Sequence, residues 1–484
     1  MKKGRLSMTL PIHSYAVMAA TGDIGSVVAE RPLLALSLAA ALAFVLGCAR
    51  PAEKAADDTT TEASVAARDA APSPSAKAPA LPTPFHTESS AKFPKILRWP
   101  EGKTPAAPAG FRVSLYADGL DHPRWLYVLP NGDVLVAESN TEKLGGEIPD
   151  PVRKAIEGAG LMGPSANRIT LVRDVNGKRE VHETFLAGLN QPFGMLLLGE
   201  WLYVANTDAL MRFPYREGQT KITGKGEKVL DLPAGGYNNH WTRNVVASLE
   251  GAKLYVSVGS QTNVDEEGLD AKEPRRAAIL ELNPDGSGMR IFAGGLRNPN
   301  GMDWVPGTRI LWTVVNERDE LGDDLVPDYL TSVREGAFYG WPYSYFGQNE
   351  DPRKKGERPD LVARAVVPDL AIGAHTASLG LTFYGASAFP QRYRDGAFIG
   401  QHGSWNRSRF VGYKVIFVPF QGDRPSGPPE DFLTGFIADE AKSEVYGRPV
   451  GLAVLPDGSL LVADDGGNVV WRVTYIGSDT TASR

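Results

Sequence analysis

The chain of 484 residues is poor in the side chains that build many metal sites and covalent sites. It contains one cysteine, Cys48, and seven histidines. A single cysteine near the N-terminus excludes a disulfide framework, a thiolate metal site and a cysteine nucleophile in the folded part of the chain. The sequence also has no CxxCH motif, which excludes a haem attached through that motif.

Neither sign of charge dominates the composition. Lys and Arg number 51 and Asp and Glu number 57, so the formal net charge is −6. Because nucleic-acid-binding domains carry an excess of basic residues, this balance predicts no nucleic-acid partner. Hydrophobic residues make up 42% of the chain, and the 52 glycines and 36 prolines suit a fold with many tight turns.

Long apolar runs are scarce, and the clearest is PLLALSLAAALAFVLG at residues 32–47. Basic residues precede this run, which is too short for a comfortable transmembrane helix and is typical of a signal peptide. The four residues VLGC that end at Cys48 resemble the bacterial lipobox. We therefore expect a lipoprotein-type signal peptide at residues 1–47 and a lipid anchor at Cys48, on the periplasmic side of a bacterial cell envelope. The alternatives are an uncleaved anchor or a plain cleaved signal, which would leave the protein secreted or periplasmic.

Residues 48–104 are rich in Ala, Pro, Ser and Thr. Such a composition buries too little apolar surface to repay the entropy of ordering, so this range is predicted to be a flexible tether. The folded domain is predicted over residues 105–478, and residues 479–484 are predicted to be a disordered tail.

A strand-turn-strand pattern recurs through the folded range. In GLDHPRWLYVLPNGDVLVAES an Asn-Gly turn separates two apolar runs, which is a strong hairpin signal. Six loose copies of this pattern occupy residues 119–139, 188–213, 242–261, 295–317, 378–405 and 447–475. They predict an all-β fold, a six-bladed β-propeller of four-stranded antiparallel blades. The one good candidate for a short helix lies within residues 144–162.

Polar residues open most copies, at positions that a propeller would place at the mouth of its central channel. These residues are Arg124, Gln191, Arg243, Arg297, Asn298 and Arg448. Guanidinium groups pair bidentately with carboxylates, so several converging arginines suit a planar ligand with several negative charges. The alternative is that each arginine pairs with an acid of a neighbouring blade.

Two further stretches carry side chains suited to a site. NERDELGDD (316–324) holds five acids and a glycine, which suits either a Ca²⁺ loop or a solvated acidic loop. GAFYGWP (336–342) contains Tyr339 and Trp341, which suit stacking on a ring or ordinary burial.

His240 lies in GYNNHWTRNVV (236–246), just before the first strand of the third copy. A lone histidine is more often structural or solvated than catalytic. Arg243 beside it and the Arg297–Asn298 pair at the opening of the fourth copy favour a catalytic base here, since histidine titrates near neutrality.

Five motifs, in this order along the chain, resemble a known family: GLRNPNGM, NERDELGDD, YGWP, HGSWNR and GRPVGLAVLPDG. The resemblance is to the soluble glucose/sorbosone dehydrogenases, which use pyrroloquinoline quinone (PQQ), and most of all to their L-sorbosone and aldose sugar dehydrogenase branch. It covers roughly residues 105–475.

The resemblance implies a role for each matching position. His240 falls where the family keeps its catalytic base. Arg318 and Asp319 fall where backbone carbonyls bind Ca²⁺, although the Gly-Pro usual in the family is absent there. Contacts to the cofactor are implied for Arg243, Arg297, Asn298, Arg407 and Arg448. On the substrate side we expect Arg124, Asp323, Asp324, Tyr339 and Trp341.

The implied reaction is the PQQ-dependent oxidation of an aldose sugar or a sorbosone-like sugar aldehyde. His240 would take the hydroxyl proton while hydride passes to the quinone, and Ca²⁺ and Arg297 would stabilise the charge on the reduced cofactor. Because the chain lacks a haem-attachment motif, the electrons would leave to a separate carrier.

Two other functions are compatible with the sequence. A Ca²⁺-dependent lactonase of the propeller type would use residues such as Glu138 and Asn206 around a metal, but it leaves the arginines unexplained. A lipid-tethered binding propeller without enzymatic activity would make the order of the five motifs a coincidence.

Overall fold

The computed structural model describes residues 80–144, 148–175, 178–235 and 238–477. The predicted signal peptide, Cys48, residues 48–79 of the predicted tether and the predicted tail lie outside the described residues. Within the described ranges, no helix has both the length and the apolar character needed to cross a membrane.

The first three repeats each form one four-stranded antiparallel sheet, and two strands precede them. The early strands are β1 (Lys95–Ile96) and β2 (Phe111–Ala117). The first sheet contains β3 (Pro123–Val128), β4 (Val134–Glu138), β5 (Arg168–Val175) and β6 (Lys178–Ala187). The second contains β7 (Met195–Leu198), β8 (Trp201–Ala205), β9 (Ala209–Pro214) and β10 (Glu227–Asp231). The third contains β11 (Val245–Ala247), β12 (Leu254–Val258), β13 (Ala278–Leu282) and β14 (Arg290–Gly294).

The later repeats form three more sheets of the same kind, with short additions in their loops. The fourth sheet contains β15 (Asn298–Trp304), β16 (Leu311–Asn316), β17 (Pro327–Ser332) and β20 (Leu370–Ala374), and its loop carries the hairpin β18 (Ser344–Tyr345) and β19 (Asn349–Glu350). The fifth contains β21 (Ser378–Phe383), β22 (Ala397–Gln401), β23 (Lys414–Val418) and β26 (Glu430–Leu433), with the hairpin β24 (Phe420–Gln421) and β25 (Arg424–Pro425). The strands β27 (Ile437–Asp439) and β28 (Glu444–Val445) follow, and the last sheet contains β29 (Pro449–Val454), β30 (Leu460–Asp464), β31 (Val469–Tyr475) and β2.

The strands follow the hairpin signals of the sequence. The Asn-Gly turn before β4 has Gly132 at φ 86°, and the Asp-Gly turn before β30 has Gly458 at φ 79°. Both glycines occupy the left-handed region that such tight hairpin turns use. Strands β4 and β30 are buried along their whole length, which explains why their sequences are nearly continuous apolar runs.

The first strands of the six sheets contact one another in a closed cycle. Strand β3 contacts β7, β7 contacts β11, β11 contacts β15, β15 contacts β21, β21 contacts β29, and β29 contacts β3. The last sheet is completed by an early strand, because β2 pairs with β31 from Phe111–Tyr475 to Ala117–Val470. The predicted all-β class and the four-stranded antiparallel sheets are confirmed.

Helices are few and short in the described ranges. Helix α1 (Asp150–Gly158) lies within the range where the sequence predicts one, and α2 (Pro359–Arg364) was not predicted. Two single-turn 3₁₀ segments cover Gln391–Tyr393 and Glu440–Lys442.

The structure corrects the predicted end of the tether at residue 104. Strand β1 pairs in parallel with β28, and Trp99 Nε1 donates a hydrogen bond to Asp464 Oδ2 at 2.8 Å. The average composition of residues 48–104 conceals the aromatic and aliphatic stretch KFPKILRWP at its end. Burial of those side chains compensates for the entropy of ordering, so the folded part begins before residue 105.

Candidate active site

His240 is held by the loop that follows β12, the strand that pairs with β11. Its Nδ1 lies 2.8 Å from the backbone oxygen of Ser260 and 3.0 Å from Ser260 Oγ. Because a carbonyl oxygen only accepts, the neutral ring carries its proton on Nδ1 and has the lone pair on Nε2. Burial and the positive charge of Arg297 lower the pKa of His240 to about 3. The ring is therefore neutral near pH 7, with Nε2 able to accept a proton.

Asn298 and His240 both lie close to Gly259. A Cβ at position 259 would come within 2.6 Å of His240 Cβ and would also collide with Asn298 Oδ1. Glycine is therefore needed here for packing, since any side chain would push the imidazole and the amide apart. Asn298 Oδ1 is buried, and within the described ranges it has no hydrogen-bond partner.

Arg297, which directly precedes β15, is almost entirely buried. It donates from Nη1 to the backbone oxygen of Glu317 at 2.6 Å, and its Nη2 lies 3.4 Å from Asp319 Oδ2. Two further hydrogen bonds go to Asn263, from Nε to the backbone oxygen at 3.1 Å and from Nη2 to Oδ1 at 3.0 Å. The guanidinium is thus fixed between two loops, where its charge acts on His240.

Asn263, which was not predicted from the sequence, connects the parts of this site. Its Oδ1 also accepts from the backbone N–H of Asp319 at 3.0 Å, and its Nδ2 donates to the Asp319 backbone oxygen at 3.4 Å. One asparagine therefore positions both Arg297 and the backbone of the acidic loop, which is the NERDELGDD segment at residues 316–324. The available signal was the polar stretch GSQTN that immediately follows the second strand of the third repeat.

Asp319 faces a second histidine that was not predicted either. His375 Nδ1 lies 3.4 Å from Asp319 Oδ1, and Asn406 Nδ2 contacts both side chains. Burial alone would raise the pKa of Asp319, but the hydrogen bond with His375 and the charge of Arg297 outweigh it and lower that pKa. Asp319 is therefore an ionised carboxylate held between a histidine and an arginine.

The side chains of the acidic loop differ in burial and in protonation. Burial raises the pKa of Glu317 to about 8, and Glu317 Oε1 is buried without a hydrogen-bond partner in the described part of the chain. The Arg318 side chain is buried beside Asp351, with Nε 3.3 Å from Oδ2. No group of three or more His, Cys, Asp or Glu side chains among the described residues could hold a metal ion. The predicted Ca²⁺ ligands are backbone oxygens, which form no such group.

Two of the predicted arginines meet at a second polar cluster. Arg448 Nε donates to Asp465 Oδ1 at 3.0 Å, and Arg124 Nη1 donates to Asp465 Oδ2. His402 Nε2 lies 2.8 Å from Asp465 Oδ2, and burial lowers the pKa of His402 to about 4 although Asp465 opposes this shift. The Arg124 guanidinium also lies over the Trp241 ring at 5.3 Å, so the cluster adjoins the residue after His240.

Two predicted ligand contacts are corrected by burial. Arg243 is fully buried and donates to the backbone oxygens of His240, Thr242 and Pro233, so it supports the loop that carries His240. Tyr339 is fully buried, with its hydroxyl 2.5 Å from the Ser332 backbone oxygen. A tyrosine in that position belongs to the core and cannot face a substrate.

The predicted substrate-side position of Trp341 is corrected in the same way, since only 4% of the residue is exposed. Its Nε1 donates to the Asn263 backbone oxygen at 2.9 Å, which leaves it a supporting role. Its burial contradicts the stacking role that its Gly/Pro surroundings favour.

The remaining predicted residues join two loops to each other. Arg407 donates to the Asp323 backbone oxygen and to Asp324 Oδ1, both at 2.7 Å. Asp323 Oδ1 accepts from the backbone N–H of Ser408 at 3.0 Å. Asp323 and Asp324 lie near Asp319 in the sequence, but the hydrogen-bond partners of all three predicted residues belong to the loops around them.

The ligands expected for a lactonase-type metal site are engaged elsewhere. Glu138 is fully buried, where it accepts two hydrogen bonds from Arg168, at 2.9 and 2.7 Å, and one from Thr170. Asn206 Oδ1 accepts from the backbone N–H of Asn190 at 3.4 Å. The carboxylate of Glu138 is thereby saturated, which disfavours a metal at this position.

Two cavities in the described part of the chain do not include His240 among their lining residues. One of about 600 Å³ lies along β6, β9 and β10 and is lined by Asn190, Asp208, Phe213 and Lys228 among others. The other, of about 260 Å³, is lined by residues that include Arg276 and Trp341. Charge and hydrogen-bond geometry therefore identify the site around His240, and cavity size does not.

The comparison with protein families gives one match over most of the described chain. The model of a family described as TrAA12-like matches residues 105–328 and 347–475. A Borreliella burgdorferi protein described as uncharacterized is 30% identical over 311 residues, which are 62% of this chain and 80% of that relative. The aldose sugar dehydrogenase YliI of Escherichia coli is 28% identical over 388 residues, which are 74% of this chain and 91% of that relative.

The fold is also found among solved structures. The holo form of the PQQ domain of pyranose dehydrogenase from Coprinopsis cinerea superposes with a TM-score of 0.61 at 21% identity. The match covers 80% of this chain and 100% of that domain. At this identity the similarity shows a shared fold. The resemblance predicted from the sequence is confirmed at the level of the family.

Proposed function

The chain belongs to the TrAA12-like family, and on that basis we propose that it is a PQQ-dependent dehydrogenase that oxidises an aldose sugar or a sorbosone-like sugar aldehyde. The observation that carries the proposal is the pair formed by His240 and Arg297. The ring of His240 is neutral near pH 7 with its lone pair on Nε2, and the charge of the almost fully buried Arg297 guanidinium acts on it, which suits proton removal beside a developing negative charge.

We propose further that the six sheets are the blades of one six-bladed propeller. The closed cycle of contacts among β3, β7, β11, β15, β21 and β29 supports this arrangement. The candidate site residues support it as well, because His240, Arg297 and Arg448 all lie just before first strands. A propeller brings such positions together at the mouth of its central channel.

The residues around His240 fit the cofactor in part. PQQ is planar and carries three carboxylates. Arg297, the Nδ2 amide of Asn298 and Arg124 would donate to its oxygens, with Asp465 sharing the charge of Arg124. The predicted contact of Arg448 is corrected, because its guanidinium is fully buried and donates to Asp465 and to the backbone oxygens of Ala159 and Gly160. Arg407 would contribute only if it left Asp324. The backbone oxygens of Arg318 and Asp319 would hold a Ca²⁺ ion, and the unpartnered Glu317 Oε1 would be available as a further oxygen ligand.

In the proposed reaction His240 Nε2 accepts the proton of the substrate hydroxyl. The quinone supplies the acceptor for the hydride that leaves the same carbon, so the substrate loses two electrons and two hydrogens. Arg297 keeps its charge beside this position and also holds Asp319, which limits the movement of the acidic loop. Trp241 lies under Arg124 and directly follows His240 in the chain.

Reconstitution tests the proposal. The full chain, freed of cofactor, is titrated with PQQ and Ca²⁺, and dye reduction is followed with aldoses and with sorbosone. We expect saturable PQQ binding and sugar-dependent dye reduction that His240→Ala abolishes, while His182→Ala on β6 leaves both unchanged. Absence of PQQ binding by the wild-type chain, or full activity of His240→Ala, would overturn the proposal.

We also propose that the protein is attached to the periplasmic side of a bacterial cell envelope through a lipid on Cys48 and passes its electrons to a separate carrier. The lipobox-like VLGC sequence and the absence of a CxxCH motif support these two points. Labelled fatty acid should be incorporated into the wild type and not into Cys48→Ser. Equal labelling of both chains would contradict the anchor.

A further inference from the structure

The segment at residues 85–93 crosses two loops of the candidate site. At one end the Phe85 backbone N–H donates to the Leu321 oxygen at 2.9 Å, and at the other the Lys92 N–H donates to the Trp405 oxygen at 2.7 Å. Leu321 belongs to the acidic loop and Trp405 directly precedes Asn406. The segment lies before residue 105, where the family match begins, so the family resemblance assigns it no role.

Thr87 makes the closest contact of this segment with the acidic loop. Its Oγ1 accepts a hydrogen bond from the Asp323 backbone N–H at 2.7 Å. Gly322 has φ 108°, and a Cβ there would lie 2.7 Å from Thr87 Oγ1 and 2.8 Å from the Thr87 backbone oxygen. The acidic loop therefore passes against Thr87 at a point where only glycine fits, because both its backbone conformation and the available space exclude a side chain.

A series of contacts connects Gly322 with Arg297 in the candidate active site. The backbone oxygen of Gly322 accepts from His375 Nε2 at 2.9 Å. The other ring nitrogen of His375 lies 3.4 Å from Asp319 Oδ1, and Asp319 Oδ2 lies 3.4 Å from Arg297. A shift of Gly322 would therefore move the histidine that fixes Asp319, and through it the partner of Arg297.

The other end of the segment holds the second loop. Phe93 stacks on Trp405 with the ring planes 5° apart and the centroids 5.7 Å apart. Ser90 Oγ lies 3.5 Å from Asp323 Oδ1, the oxygen that also accepts from the Ser408 N–H. The two loops that supply Asp319 and Asn406 are thus joined by the same short segment.

From these contacts we infer that Thr87 is a positioning residue of the active site, which fixes Gly322 and Asp323 and thereby the arrangement of His375, Asp319 and Arg297. The kinetic part of this inference rests on the proposed function, whereas the structural part does not. The segment that composition assigns to a tether then forms part of the support of the site.

Three single variants of the full chain test the inference. Thr87→Val keeps the shape and removes the acceptor, Thr87→Ser keeps the hydroxyl, and Glu88→Gln changes an exposed neighbour. Amide hydrogen exchange is measured on the cofactor-free chains. In Thr87→Val we expect exchange about fivefold faster within residues 319–324, as for the loss of one hydrogen bond, with Thr87→Ser and Glu88→Gln like the wild type.

A second measurement separates positioning from general stability. In Thr87→Val the Kd for PQQ should rise about fivefold while the melting temperature changes little, and Thr87→Ser should restore the affinity. Unchanged exchange in the acidic loop, or faster exchange spread evenly over the six sheets, would overturn the inference. If the wild type binds no PQQ, the proposed function fails and the exchange measurement still decides the role of Thr87.

Discussion

His240 Nδ1 lies 2.8 Å from the backbone oxygen of Ser260. His240 precedes β11 and Ser260 follows its paired strand β12, so the two residues lie at the same end of this strand pair. This contact determines which ring nitrogen is free, because the carbonyl oxygen can only accept. The hydroxyl of Ser260 lies 3.0 Å from the same nitrogen. The basic nitrogen of the site is therefore selected by backbone geometry, which no substitution at position 260 removes.

The pH profile should show no loss of the base near neutrality. The pKa of His240 is lowered to about 3 by burial and by Arg297. A base is lost as the pH falls below its pKa, so kcat/KM should stay level through about pH 6.5, the ordinary value for histidine, and decline only in stronger acid. The measurement is kcat/KM between about pH 5 and 8, within the range where stability is usually greatest. A decline centred on the ordinary histidine value would show that His240 is not held in this environment.

Replacement of Gly259 by alanine should damage the site more than the fold. The added Cβ would lie 2.6 Å from His240 Cβ, so the imidazole must move. A displacement of about 1 Å can cost on the order of 100-fold in rate. Gly294→Ala is a matched control, because a Cβ added there would meet no described atom within 4 Å beyond its chain neighbours. Equal kcat/KM values for the two variants would contradict the packing argument.

Asn263→Ala should lower kcat/KM by about tenfold or more, because two groups of the site lose a restraint. The variant loses the Oδ1 that accepts from Arg297 and from the Asp319 N–H, both at 3.0 Å. Steady-state kinetics and a PQQ titration measure the effect. Asn263→Asp keeps an acceptor for Arg297 and should retain more activity than Asn263→Ala. The reverse order would show that Asn263 acts in some other way.

Asp351→Asn should destabilise the fold. The carboxylate is the ion-pair partner of Arg318, and both side chains are buried. Removing one partner of a buried pair leaves an uncompensated charge, at a cost of about 3 kcal/mol in the free energy of unfolding. Denaturant unfolding measures this cost. The exposed pair of Arg309 and Glu250 offers the control, and Glu250→Gln should change stability little.

The hairpins and His240 were predictable because local rules govern them. An Asn-Gly or Asp-Gly turn between apolar runs specifies a hairpin, and β3–β4 and β29–β30 follow it. The predicted placement of His240 and Arg297 before first strands agrees with the structure for the same reason. Arg297 directly precedes β15 and His240 lies five positions before β11, and the repeat defines the start of both strands.

Several residues directly after the second strands were not predicted as site residues, although the repeat marks their positions as well. Ser260, Glu317, His402 and Asp465 each follow the second strand of a sheet by one or two residues. Apart from the NERDELGDD loop and the lactonase candidates Glu138 and Asn206, most of the polar positions considered from the sequence were those at the openings of the copies. Aligning the ends of the second strands would have identified Asp465 and His402, while His375 and Asn263 lie in loops that differ between copies.

The sequence by itself determined the strands, the turns and the family, because hydrophobic pattern and turn chemistry act over a few residues. Only the tertiary structure decided which side chains are available to a ligand. Arg243 and Tyr339 carry suitable groups, but backbone oxygens brought close by folding occupy them. Thr87 reaches the acidic loop from more than two hundred positions away. Residue type states what a group can bind, and distance and burial select its partner.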